Sequence, residues 1–91
     1  MDSLEIEFRK TILLHHINNY LSMKKVKMKG LLKNLKLILE GDNKITVKQL
    51  ESIVPFLDKE KHFKGWNKKQ IVNFFQPLLR NYKGELYGTI D

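Results

Sequence analysis

Apolar side chains recur along this chain at helical spacing. Ile6, Leu13, Ile17, Tyr20 and Leu21 fall on one face of a first helix. Asp2 with Glu5 three residues later resembles a capping box, with Ser3 as an alternative cap, so this helix is predicted to run to about Ser22. Leu4, Phe8 and Ile12 lie on another side, beside His15 and Asn19. A helix apolar on two sides either runs through the middle of a fold or offers its second side to a partner. In a small bundle the first arrangement is the expected one.

A basic connection, Met23 to Lys29, leads to a second helix from about Met28 to Glu40. Leu31, Leu35, Ile38 and Leu39 form its stripe, joined by Leu32, and Gly41 is placed to cap it. Thr46 and Gln49 make the next capping box and open a short helix with Val47, Leu50, Ile53, Val54 and Leu57 inward. Pro55 removes one helical hydrogen bond, so that helix is expected to stop at Ile53 and restart. Asp58 to Gly65 reads as a charged, exposed connection, with Phe63 and Trp66 as its apolar anchors. Asn67 and Gln70 repeat the capping logic before a last helix carrying Ile71, Val72, Phe74, Phe75, Leu78, Leu79 and Tyr82, which Pro77 should kink or split. Asn81 to Asp91 reads as a short C-terminal hairpin or a disordered tail. Nothing else looks like a strand. The expected fold class is all-α: one domain over residues 1–91, a compact bundle of four to five short helices.

Length changes this picture little. Ninety-one residues suffice for one domain with a small core. With no cysteine there can be no disulfide framework, thiolate metal site or cysteine nucleophile. The sequence holds no apolar run of about 18 residues, as a membrane span needs. Its first residues carry acids where a signal peptide carries bases, so a cytoplasmic location is expected.

Charge changes the picture more. The net charge is +7, and its distribution is uneven. From Phe8 to Leu39 there is no acid, against eight bases: Arg9, Lys10, Lys24, Lys25, Lys27, Lys29, Lys33 and Lys36. Such a segment suits phosphates, an acidic protein or an anionic membrane surface. Fifteen lysines, two arginines and no alanine are also what an AT-rich genome imposes on a solvated surface.

Catalytic chemistry finds no template. The chain has no Gly-rich phosphate loop, no HExxH and no GxSxG. His15 and His16 are neighbours, about 100° apart on a helix, and do not converge on a metal, so they read as a surface pair. The acids are scattered singly. No enzyme, metal, cofactor or small-molecule substrate is expected.

Three binding surfaces are candidates. Lys25, Lys29, Lys33 and Lys36 follow spacings of four, four and three, and share one side if the second helix reaches back to Lys25. Lys69, Asn73, Gln76 and Arg80, with Lys83, share the polar face of the last helix, where Asn, Gln and Arg can read base edges. Leu4, Phe8 and Ile12 on the first helix, with Phe56, Phe63, Trp66 and Tyr87 elsewhere, exceed what a minimal bundle must bury, and of these Phe63, Trp66, Phe8 and Ile12 would anchor a protein partner or a homodimer. The leading expectation is a non-enzymatic regulator binding DNA or other nucleic acid through the Lys24 to Lys36 segment. The alternative is an inhibitor or adaptor, of the phage or mobile-element type, docking on an acidic partner surface. An immunity-type or peripheral membrane helical protein comes last.

Overall fold

The computed structural model describes residues 2–80 and contains four α-helices: α1 (Ser3–Leu21), α2 (Lys29–Glu40), α3 (Val47–Leu57) and α4 (Lys68–Phe74). Two 3-10 turns, Lys61–Phe63 and Gln76–Leu78, flank α4. The all-α expectation holds among these residues. The readings placed on Asn81 to Asp91 lie outside them.

Side-chain caps start three of the four helices. The Asp2 carboxylate accepts the Glu5 N–H at 2.8 Å. Thr46 Oγ1 accepts from Gln49 N at 3.0 Å, and Gln49 Oε1 returns to Thr46 N at 2.9 Å. Asn67 and Gln70 form the same reciprocal pair, both bonds at 2.8 Å. Each cap satisfies donors that the first turn cannot, for about 1 kcal/mol.

The inward faces meet in one core. Leu13, Ile17 and Tyr20 of α1, Leu32, Leu35 and Leu39 of α2, Leu50, Ile53 and Leu57 of α3, and Ile71 and Val72 of α4 are buried. Burying each such side chain is worth roughly 1.5–3 kcal/mol. The expected course of α1 through the middle of the fold is not found, since only this one face is fully buried. On its other side Leu4 and Phe8 stay in solvent.

Two local readings are corrected, the reach of α2 back to Lys25 and the stop of α3 before Pro55. Met28, ahead of α2, has φ 63° and ψ 33°, so the helix cannot extend back to Lys25. Gly41 is the C-cap of α2, as expected, at φ −84°, and the left-handed position comes one residue later. That position falls to Asp42, at φ 59°. Asp42 N–H donates to Leu39 O and Asn43 N–H to Ile38 O, the two bonds of a Schellman motif. Aspartate tolerates the left-handed region better than most residues, and here its carboxylate also pairs with Lys10 Nζ at 2.6 Å. That bond holds the Lys10 ammonium above, and the Asp42 carboxyl below, its ordinary pKa.

Pro55 does not stop α3, which runs on to Leu57 with Asp58 N–H donating to Val54 O at 2.8 Å. Pro55 sits in the last turns with its ring exposed, where little helix remains to disrupt. Pro77, by contrast, lies in the 3-10 turn Gln76–Leu78, separate from α4, which ends at Phe74. Beyond it, Ile45 N–H donates to Leu78 O and Arg80 N–H to Ile45 O, a single parallel bridge between Ile45 and Leu79.

Candidate functional site

The connection from Asp58 to Gly65 is charged, yet it delivers the centre of the core. The Lys61–Phe63 turn rotates Phe63 inward until it is 0 % exposed. Lys64 at φ −59°, ψ 126° and Gly65 at φ +86° form a type II turn, closed by Trp66 N–H donating to Phe63 O at 2.9 Å. Only glycine takes that third-position φ without strain. The Phe63 ring then lies 5.2 Å from Trp66, 5.8 Å from Phe74 and 5.7 Å from Phe75, centroid to centroid. Phe63 is therefore a core residue and not the partner anchor its loop position suggested. Trp66 is half-buried and packs on Phe63 and Phe74. Of the four expected anchors, only Phe8 is well exposed, and Ile12 is partly buried beside it.

The polar set assigned to the last helix is not brought together. Lys69 and Asn73 lie on α4, Gln76 in the following 3-10 turn, and Arg80 beyond that turn. Asn73 lines a hollow with Trp66, Gln70 and Phe74, whereas Arg80 lines another with Ile38, Asn43, Lys44 and Gln49. A seven-residue helix followed by a proline turn cannot present all four in one row.

The lysine set is largely preserved. Lys24, Lys25, Lys27, Lys29 and Lys33 are exposed and Lys36 is half-exposed. Lys29, Lys33 and Lys36 follow one side of α2 over about 10 Å of rise. Lys25 belongs to the preceding turn, where half-buried Val26 and the left-handed Met28 fix the chain. Among the described residues, no ion pair or side-chain hydrogen bond involves any of these six lysines. The other two bases of the acid-free segment are engaged. Arg9 pairs with Glu5 at 2.7 Å and donates to Phe74 O, and Lys10 pairs with Glu7 and Asp42. The first turn of α2 has neither an acid nor a side-chain cap, so the positive helix end adds to the same field.

A third feature was visible in the sequence only as the second apolar side of the first helix. Phe8, Thr11, Ile12, His15, His16 and His62 line a groove of about 390 Å³. His16 is not half of a surface pair. It is 8 % exposed, on the face of Leu13, Ile17 and Tyr20, because 100° per residue turns it inward as His15 turns outward. Its Nδ1 lies 3.7 Å from Glu60 Oε2, too far for a hydrogen bond, and has no other partner among the described residues. Tyr20 Oη donates to the other oxygen of Glu60 at 3.1 Å. Burial and the neighbouring carboxylate push the Tyr20 phenol above its ordinary range. Burial, only partly opposed by Glu60, lowers the His16 pKa from 6.5. Among the described residues no cluster of histidines and acids is arranged to hold a metal ion, and no helix is long and apolar enough to cross a membrane.

The buried imidazole gives a pH prediction. Its folded pKa lies below the unfolded one, so the unfolded chain binds the proton first as pH falls. Stability should therefore be full above pH 7 and decline as pH drops through about 6.5 and below. Urea unfolding midpoints at neutral and mildly acid pH would record this. His16→Phe should remove most of the decline, and an equal decline in the variant would clear His16 of responsibility.

No family model, curated protein or solved structure matches this chain.

Proposed function

We propose that this protein is a non-enzymatic, cytoplasmic regulator that binds nucleic acid through its phosphate backbone. The observation that carries this reading is the cluster of unpaired lysines. Six ammonium groups on α2 and the turn before it face solvent with no carboxylate partner among the described residues, while Arg9 and Lys10 in the same acid-free segment are engaged. An array of unpaired cations displaces the counterions that condense on DNA or RNA. Lysine acts there as a point charge and reads no sequence, so the expected binding is tight at low salt and indifferent to base order. The scattered positions of Lys69, Asn73, Gln76 and Arg80 give no support to base-specific reading.

Fluorescence anisotropy with generic duplex and single-stranded DNA and RNA tests the proposal. With four phosphate contacts, affinity should fall by about two orders of magnitude between 50 and 200 mM salt. Absence of binding at low salt, or binding that ignores salt, refutes it.

A further inference from the structure

The hollow beside Trp66 is lined by two aromatic rings and two carboxamides. Trp66 and Phe74 stand at 74°, centroids 5.6 Å apart, and form a corner. Gln70 and Asn73, three residues apart on one side of α4, complete it. Trp66 packs on Phe63, 5.2 Å away, and is held by the type II turn, so this wall stands before any ligand arrives. Gln70 is fixed as well. Its Oε1 accepts the Asn67 N–H at 2.8 Å, which leaves the amide N–H groups to donate elsewhere. The space, about 360 Å³, is open to solvent and lies at the lower end of the range for small-ligand sites.

This lining selects a flat ring with a polar edge. A planar ring laid on one aromatic wall meets the other edge to face, an arrangement that aromatic pairs prefer. Carboxamides bond the edge atoms of such a ring. An aliphatic ligand would use neither. Charge adds a further condition. From Lys61 to Arg80 the chain has no acid, against five bases, Lys61, Lys64, Lys68, Lys69 and Arg80. Lys64 is exposed, has no acid partner among the described residues, and stands two residues before Trp66 in the same turn. A nucleobase attached to its phosphate meets all of these conditions. Bases inside a duplex are stacked and paired, whereas a single strand can turn one out onto an aromatic side chain. We infer that Trp66, Phe74, Gln70 and Asn73 form a stacking site for one unpaired base of single-stranded DNA or RNA, with Lys64 on the adjoining phosphate. This site rests on the nucleic-acid reading above and adds to it a preference for single strands. Stacking accepts any base, so indifference to base order is kept.

Trp66 is the only tryptophan in the chain, so its fluorescence reports on the hollow directly. Titrating the full chain with a short oligothymidylate at low salt should quench that emission in step with the anisotropy signal. Duplex DNA should raise anisotropy and leave the emission unchanged. Thymidine monophosphate should quench only at far higher concentration than the oligonucleotide. Trp66→Leu keeps an apolar side chain against Phe63 and should weaken single-strand binding by roughly tenfold or more, with duplex binding unchanged. If that variant loses its helical circular dichroism, quenching in the native chain decides. Salt-dependent binding of both nucleic acids with no change in Trp66 emission, or equal quenching by duplex and single strand, overturns this inference and leaves the phosphate reading standing. Quenching by the monophosphate as readily as by the oligonucleotide makes the hollow a site for free nucleotide and overturns the single-strand assignment. No binding of any nucleic acid at low salt overturns both readings.

Discussion

Replacing Phe63 with alanine is expected to lower the unfolding free energy by about 3–5 kcal/mol, the range for deleting a large aromatic side chain from a packed interior. The ring is wholly buried and touches Trp66, Phe74, Phe75, His62 and His16, so its loss opens a hole that several elements border. None can refill it alone, because each is fixed elsewhere: Phe74 on capped α4, His16 mid-way along α1, Trp66 by the type II turn. A domain of this size has in all roughly 5–14 kcal/mol to lose. Phe63→Ala should therefore fall far in thermal midpoint or be partly unfolded at room temperature. Trp66→Ala should lose less, because half of that side chain faces solvent already. Urea titrations followed by circular dichroism compare the two. A Phe63→Ala midpoint equal to that of the native chain would contradict the burial and return Phe63 to the role of exposed anchor.

Phe63 also marks where the sequence stops being readable. Caps were legible because they are local: Asp2, Thr46 and Asn67 each bond a backbone three residues away, and the spacing alone reveals it. The apolar faces of α2, α3 and α4 were legible for the same reason. The Asp58 to Gly65 connection was not. Its composition is that of a solvated loop, and only the φ +86° turn at Gly65 aims Phe63 and Trp66 inward. The Phe63-Lys64-Gly65-Trp66 order, with glycine third, was the available signal. The groove histidines were hidden differently. His16 differs from His15 by one helical step; its place between Leu13, Ile17 and Tyr20 on the inward face was the available signal, while Phe63 and Glu60, which pack beside it, come from a distant connection. Pro55 was misread because a proline's effect depends on how much helix follows it.

The lysine surface was legible in composition and half-legible in geometry. A run of bases without acids is visible in any reading of the chain. That Met28 turns left-handed and detaches Lys25 from α2 is not, since nothing in the spacing marks a non-glycine residue for that conformation. The consequence is that Lys29 and Lys33, one turn apart on rigid helix, are the pair whose positions are best fixed relative to each other.

Reversing that pair is the most direct chemical question to put to the surface. Lys29→Glu with Lys33→Glu should leave the fold intact, because both side chains are exposed and contact no acid among the described residues. Affinity for generic DNA or RNA at low salt should fall by roughly 100-fold, as two phosphate contacts are lost and two repulsions are gained. The slope of log affinity against log salt should shrink by about two. Lys10→Gln is the internal contrast. It removes the same kind of charge from the same acid-free segment, but that ammonium is engaged by Asp42 and Glu7, so binding should change little. If reversal of Lys29 and Lys33 weakens binding no more than Lys10→Gln does, position does not matter, and the lysines are a solvated face of biased composition. If the two differ as expected, affinity is located on one side of α2 and depends on those ammonium groups being free.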